Sequence, residues 1–309
     1  MDYSLSTTDS YHINDLNSLG WELTVCNALY PENSPCRSVL QKNASLGVNL
    51  YRFLEKLLPF NEINNLLEIG GGLGCLMRDF LTINPRLTPT MLDISPYLLE
   101  RQKETLKEFN VNFFQNDILK MNAFSAYDLI IMNENLGDLP ALVPSDASVS
   151  TSQNDAVSYL EKASYFQQKY NIPFAPQETI NIGALTLLEN ICRAKVEYVY
   201  LSEHSCEAVV PELLKQYINV ESSGTPEKIS LKGHNEYTIK FSYLQKIAEI
   251  FNYRVRRGPI ADFLPLDLSG KVMTALRLST PFTPEQEIIQ QFIYDLYKYE
   301  YMVMIKDGK

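Results

Sequence analysis

The segment "LLEIGGGLGCLMRDFL", Leu66 to Leu81, sets four glycines (Gly70, Gly71, Gly72, Gly74) into five positions between an apolar run and a stretch with helical spacing. A strand that ends in glycines and opens a helix lets the main chain approach a bound group closely, and the free N–H groups at the helix start favour negative charge. The flanking sequence alternates. Strand "NLLEI" leads to helix "GCLMRDFLTI", strand "LTPTMLDI", helix "SPYLLERQKETLKEF", and strands "VNFFQ" and "YDLIIM". Ser95 followed by Pro96 is a helix entry, with serine as the cap and proline at the first helical position. Strands alternating with helices of this length predict an α/β fold, a parallel sheet with helices on both faces.

Residues 1–60 form an N-terminal helical extension in this reading, with one helix around "WELTVCNALY" ending at Pro31 and a second, "ASLGVNLYRFLEKLL", closed by Pro59. Residues 61–309 make one domain, interrupted at about 139–178 by an insertion rich in Ser, Asn, Asp, Gln and Pro around the helix "DAVSYLEKASYFQQKY". Beyond it come helix "ETINIGALTLLENICR", strand "VEYVYLS", helix "EAVVPELLKQYI", strand "EKISL" and helix "KFSYLQKIAEIF". Two late strands, "YRVRRGP" and "KVMTALRL", precede a tyrosine-rich closing helix from Pro284 to Tyr299. Tyr159, Tyr165, Phe166 and Tyr170 make the insertion either a cap that closes over a bound molecule or the contact of a homodimer.

Among 309 residues, 45% are hydrophobic, enough for a sizeable core. The net charge of -10 and pI near 4.9 exclude a general affinity for nucleic acid or an anionic membrane, both of which need a cationic footprint. The five cysteines (Cys26, Cys36, Cys75, Cys192, Cys206) are scattered with no CxxC pair, so neither a disulfide framework nor a metal site is expected. The first residues, "MDYSLSTTDSYHINDLNS", are polar and acidic, unlike a signal peptide, and no apolar run is long enough for a membrane span. A cytoplasmic location is the expectation.

As a dinucleotide fingerprint, GxGxxG, the ribbon fails, because Cys75 stands where the third glycine belongs. Glu68, Gly70, Gly72 and Gly74 instead spell ExGxGxG, which resembles motif I of class I S-adenosylmethionine methyltransferases. Asp93 follows about 20 residues later at the end of the next strand, where a carboxylate can accept both hydroxyls of a ribose. In "QNDIL", Asp117 stands after the third strand to take an adenine amino group, with the backbone of Ile118 against the ring. The resemblance implies a Rossmann-like fold with a mostly parallel seven-stranded sheet and an antiparallel last strand. It also implies S-adenosylmethionine as cofactor, with S-adenosylhomocysteine as product. The residues expected to hold it are Glu68, Gly70, Gly71, Gly72, Gly74, Asp93, Ile94, Asp117, Ile118 and Asn133.

Beyond the glycines, the run Leu76, Met77 and Asp79 is similar to the MidA-like methyltransferases, the family of the mitochondrial complex I assembly arginine methyltransferase. "DISPYLLERQKETL" resembles that family's second motif at Ser95, Pro96, Leu98, Gln102 and Leu106. "MNENLGDLP" resembles its Asn-Glu motif at Asn133, Glu134, Asp138, Leu139 and Pro140. Fainter likenesses lie in "ALYPE", Ala28 to Glu32, and at Gly233, His234 and Phe241. The chain departs from the family where a substrate would sit. Glu203-His204 replaces an aspartate-tyrosine pair, Ala261-Asp262 precedes Phe263-Leu264 in place of a glutamine, and "SPCRSVLQKNASLG" shortens an N-terminal segment.

Methyl transfer from a sulfonium is an in-line displacement that requires the nucleophile to sit about 3 to 3.5 Å from the methyl carbon. In an open parallel sheet it takes place beyond the carboxyl ends of the strands. That places Asn133, Glu134, Asp138, Glu203 and His204 as the residues expected at the reacting end. With an arginine acceptor, carboxylates would grip the guanidinium, Glu134 first among them. Alternatively Glu134 organises its loop or meets the methionine amino group. His204 is a proton acceptor or a hydrogen-bonding anchor, and His12 and His234 are expected to be structural. Three functions stay open at this point: methylation of a protein, with arginine as one acceptor; methylation of a small molecule; and a non-catalytic assembly or binding role on the same fold.

Overall fold

The computed structural model describes residues 3–17, 24–144, 153–268, 270–277 and 283–308. Trp21, in the expected first helix, lies outside the described residues. What that helix leaves within them is the short α1, Val25–Ala28, capped by Thr24. The second expected helix is α2, Leu46–Leu54, with Ser45 as its cap.

The glycine ribbon joins β1, Asn65–Ile69, to α3, Cys75–Ile83. Then follow β2, Thr88–Asp93; α4, Pro96–Thr105; β3, Asn112–Gln115; and β4, Leu129–Asn133. The insertion carries α5, Gln153–Tyr170, and leads to α6, Ile182–Arg193, and β5, Tyr198–His204. The rest comprises α7, Phe241–Ile250; β6, Tyr253–Pro259; α8, Gly270–Arg277; α9, Pro284–Lys298; and β7, Tyr299–Lys306.

These strands form one seven-stranded sheet in the order β6-β7-β5-β4-β1-β2-β3. β1 pairs in parallel with β2 and β4, β2 with β3, and β4 with β5. β7 is antiparallel to both β5 and β6. The fold is therefore the α/β class I methyltransferase arrangement, with its antiparallel last strand wedged inward. Alternation along β1 sends Leu66 into one face's core and Leu67 into the other's. The first face also takes Val25, Leu29, Leu46 and Leu50, so the residues before 61 are packed into the sheet's own core. On α3, Asp79 accepts a hydrogen bond of 2.5 Å from Ser45 Oγ, which ties the cap of α2 to the ribbon's helix.

Three expected elements differ. Of "KVMTALRL", residues 271–277 belong to α8, with buried Val272 and Ala275 three residues apart, a helical spacing, and Leu278 lies outside the described residues. The strand role passes to β7, whose residues Tyr299 to Met304 are all buried. A strand covered on both faces carries no alternation, so its run merges with the helix before it. "EAVVPELLKQYI" has only a 3₁₀ turn, Glu212–Leu214, because Pro211 bars the helical conformation at Val210. "EKISL" contributes a strand, Lys228–Ser230, to a separate hairpin with Asn235–Tyr237 rather than to the main sheet.

Candidate active site

At the carboxyl ends of β1 to β4 lies a cavity of about 820 Å³. Its floor is Glu68 to Leu73, Asp93 and Ile94, Asn116 to Lys120, and Met132 to Asn135. Its roof includes Thr7, Thr8, Asp9, Tyr11 and His12, Tyr159 and Lys162 of α5, and His234 and Glu236 of the separate hairpin. The N-terminal segment reaches this position through a strand, Tyr3–Ser6, antiparallel to Ala141–Pro144. Thr8 Oγ1 also donates to the carbonyl of Asp138 at 2.8 Å.

Gly72 has φ +53°, a conformation that favours glycine, and a Cβ built there would meet nothing within 4 Å. Its free side is the cavity itself. Glu68, 2% exposed, has one carboxylate oxygen (Oε2) without a hydrogen-bond partner among the described residues. Burial, with Asp93 nearby, pushes its carboxyl up to about 8. A buried polar atom left unpaired is costly and marks a place where a ligand's donor belongs.

Asp93 is buried and accepts from the Ser95 N–H at 2.9 Å and from Gln102 Nε2 at 2.8 Å. Each oxygen keeps a lone pair for a further donor. Burial raises its pKa to about 6, against the lowering effect of those two bonds. Gln102 Nε2 also donates to the Gly72 carbonyl at 3.2 Å, so one amide joins the ribbon to the carboxylate at the end of β2. Asp117 caps the turn Ile118–Lys120 by accepting from Leu119 N–H at 2.9 Å. Every residue from the expected cofactor set lines this one cavity except Gly74, which caps α3 with φ +79°.

The expected reacting residues divide. Asn133, Glu134 and Asp138 line the cavity. Glu134, at φ +58°, spends its carboxylate on the N–H groups of Val25 (3.0 Å) and Cys26 (3.2 Å) and on Asn133 Nδ2 (2.8 Å). It thus caps α1, and no free fork remains to face a guanidinium. Burial raises its pKa, against the lowering effect of those bonds. The amide oxygen of Asn133 accepts from Ser202 Oγ at 2.8 Å, so the side chain is held from both ends.

Glu203 and His204 lie outside the cavity lining. β5 does not stop at Ser202 but runs on through both residues, which pair with Glu300 and Tyr299 of β7. The Glu203 carboxylate accepts from the N–H groups of Gly137 (3.1 Å) and His204 (2.8 Å), and the His204 ring lies 3.8 Å from that of Tyr299. Burial lifts the Glu203 carboxyl well above its usual range.

What sequence reasoning assigned to structure, the geometry brings to the cavity. His12 Nε2 lies 2.8 Å from Asp138 Oδ1, and His234 Nε2 lies 3.1 Å from Glu236 Oε1. The ring of Tyr11 stacks on His234 at 4.3 Å. Burial pulls both imidazoles down, but hydrogen bonds to Asp138 and Glu236 outweigh it and raise each pKa above the ordinary value. The one signal in the sequence was scarcity, since the chain has three histidines and two of them are here.

The insertion's aromatics separate. Phe166 and Tyr170 are buried in the core and Tyr165 bonds Glu189 of α6, while Tyr159 lines the cavity. Among the described residues no helix is long and apolar enough to cross a membrane.

Residues 67–148 match the family model of a methyltransferase domain. A malonyl-[acyl-carrier protein] O-methyltransferase 1 from Ilyobacter polytropus is 39% identical over 70 residues, 22% of this chain and 26% of that one. A malonyl-[acyl-carrier protein] O-methyltransferase from Anoxybacillus flavithermus is 30% identical over 90 residues, 29% of this chain and 35% of that one. The chain therefore spans about a third or less of the length of these curated relatives. Of solved structures, an S-adenosylmethionine-dependent methyltransferase from Clostridium acetobutylicum is similar, at 9% identity and a TM-score of 0.44, over 84% of this chain and 92% of that one.

Proposed function

We propose that this chain is an S-adenosylmethionine-dependent methyltransferase whose acceptor is a small molecule. The observation that carries the reading is the unpartnered oxygen of buried Glu68, set beside the open side of Gly72 and the half-used carboxylate of Asp93 in one cavity. Glu68 would face the amino group of the cofactor, Asp93 its ribose hydroxyls, and Asp117 with the backbone of Ile118 its adenine. The glycine ribbon would lie along the rest. When bound, the cofactor supplies an electrophilic methyl group. The protein's own task is then to fix the donor and the acceptor in line and keep water out.

The roof supports a small acceptor. The cavity lies in the size range of small-molecule sites, and the N-terminal segment contributes Thr7, Thr8, Asp9, Tyr11 and His12 to its lining. Glu134, the residue expected to grip an arginine, is instead engaged in capping α1. The matched relatives are named as O-methyltransferases, which agrees with an acceptor that is not a guanidinium. Asn133 and Glu134, held rigidly at the end of β4, would form part of the wall at the reacting end. The cytoplasm is the proposed compartment.

The test has two parts. Calorimetry with S-adenosylhomocysteine should show binding that Asp93→Ala weakens by about 1.5 to 3 kcal/mol, the scale of hydrogen bonds to a charged group. Undiminished affinity would place the ribose elsewhere. Incubation of the protein with labelled cofactor and a cell lysate, separated into protein and small-molecule pools, should put the label in the small molecules. Label in protein would overturn the acceptor class and keep the cofactor.

A further inference from the structure

We propose that His12, Asp138 and His234 bind one divalent first-row transition ion of the zinc class in the roof of the cavity, with Glu236 as the neighbouring carboxylate. Their candidate ligand atoms all lie within 4.8 Å of one another. Asp138 Oδ1 is 2.8 Å from His12 Nε2 and 3.6 Å from His234 Nε2. A tetrahedral ion with bonds of about 2.0 to 2.1 Å has its ligand atoms about 3.3 Å apart, midway between those two spacings. Two imidazoles and a carboxylate are a donor set that suits zinc, and three protein ligands leave a fourth position for water or another oxygen donor.

The three ligands come from separate parts of the chain, which strand pairing and the Thr8–Asp138 bond also hold together. His12 lies on the N-terminal segment, Asp138 on the loop after β4, and His234 in the turn of the separate hairpin. The side chains are 16%, 22%, 5% and 21% exposed for His12, Asp138, His234 and Glu236, so they are not a solvated surface cluster.

The hairpin is also shaped to hold His234 in place. Gly233 has φ +98°, and a Cβ there would come within 2.6 Å of the Tyr11 ring that stacks on His234. Only glycine lets that ring lie against the imidazole and fix its plane. Such fixing of a ligating histidine is usually done by a hydrogen bond to its second nitrogen. Here that nitrogen, His234 Nδ1, has no hydrogen-bond partner among the described residues, and the aromatic stack takes the role.

The site does not depend on the methyltransferase reading, and its test needs no cofactor. The purified full chain, stripped with a chelator, is titrated with Zn²⁺ alone in a calorimeter and with Co²⁺ as the spectroscopic stand-in. One equivalent should bind, Co²⁺ should give the visible absorption of a tetrahedral site, and Zn²⁺ should raise the melting temperature. Loss of a second-shell partner alone weakens metal binding by about 10- to 100-fold, so His12→Ala and His234→Ala should each weaken it by at least about 100-fold. Asp138→Asn serves as a third variant, and a cooperative melt of each chelated variant shows that it has folded. Absence of stoichiometric uptake by the wild-type chain would overturn the proposal. So would equal Co²⁺ binding by a folded variant lacking both histidines.

Discussion

Two buried glutamates, one on a strand and one on a helix, behave in opposite ways. Glu68, at the end of β1, is 2% exposed, has an oxygen without a partner, and is pushed up to about 8. Glu189, on α6, is 7% exposed, yet its carboxyl is brought down to about 2. Burial alone would raise Glu189 as well. Four donors outweigh it: Tyr165 OH at 2.6 Å, Tyr170 OH at 2.5 Å, Lys169 Nζ at 2.9 Å and Arg193 at 2.8 Å, all on one oxygen. Three of these belong to α5, so Glu189 fastens the insertion's helix to α6. The contrast separates a carboxylate that joins two helices from one with an oxygen still free to accept a further donor. Burial without partners is the mark of the second kind.

The largest effect should come from occupying the space beside Glu68. Gly72→Val would put a branched side chain into the cavity from a backbone at positive φ. S-adenosylhomocysteine binding should fall by at least about 100-fold, the 2.7 kcal/mol or more that a displaced ligand would lose. Circular dichroism should remain that of a folded chain. Normal binding by this variant would detach the glycine ribbon from the ligand.

Next comes the opposite glutamate. Glu189→Ala removes the acceptor of four donors and should cost about 2 kcal/mol in thermal or urea unfolding, less than four charge-assisted bonds would sum to, because Lys169 and Arg193 stay partly in water. The pH dependence should follow the same division. Glu189, lowered in the fold, binds fewer protons there than in the unfolded chain between about pH 2 and 4.5. Its contribution is therefore complete above that window and lost as the pH falls through it. Glu68, raised in the fold, binds more protons when folded between about pH 4.5 and 8. Stability tied to it is present at low pH and declines as the pH rises through that window. Glu68→Gln should remove this decline, stabilise the unliganded protein by about 1 to 3 kcal/mol near pH 8, and weaken S-adenosylhomocysteine. A variant that keeps full affinity would show that the unpartnered oxygen does not meet the ligand.

The same contrast shows why part of the molecule was legible in the sequence. The floor of the cavity was readable because its residues follow one another at fixed offsets from strand ends. Glu68, Gly72, Asp93 and Asp117 stand where the alternation of strand and helix says a carboxyl end must be, and Ser95-Pro96 marks its helix without ambiguity. The tie from Gln102 to both Gly72 and Asp93 was not readable, although Gln102 stands in the quoted motif, because only the packing of α4 brings its amide there. The roof failed for a related reason. His12, Asp138 and His234 are far apart in the chain, and no local pattern brings them together. Glu203 and His204 stand away from the cavity lining because β5 runs on through them, a reach set by pairing with β7, which was itself hidden in a continuous apolar run.

The smallest effects lie within the Glu189 cluster and test what holds it. Tyr170 is buried, so Tyr170→Phe removes a hydroxyl that has no water to replace its acceptor and should cost about 1 kcal/mol. Arg193 has a side chain 52% exposed, and Arg193→Ala should cost only a few tenths of a kcal/mol, in the range of surface ion pairs. Adding about 1 M salt shortens the screening length to about 3 Å, so the Arg193 effect should vanish while the Tyr170 effect persists. Unfolding curves of the two variants at low and high salt decide the matter. If Arg193→Ala proved the more damaging of the two, or if salt erased the Tyr170 effect, long-range charge rather than buried hydrogen bonding would be what joins α5 to α6, and the low carboxyl of Glu189 would have a different origin from the one its four partners suggest.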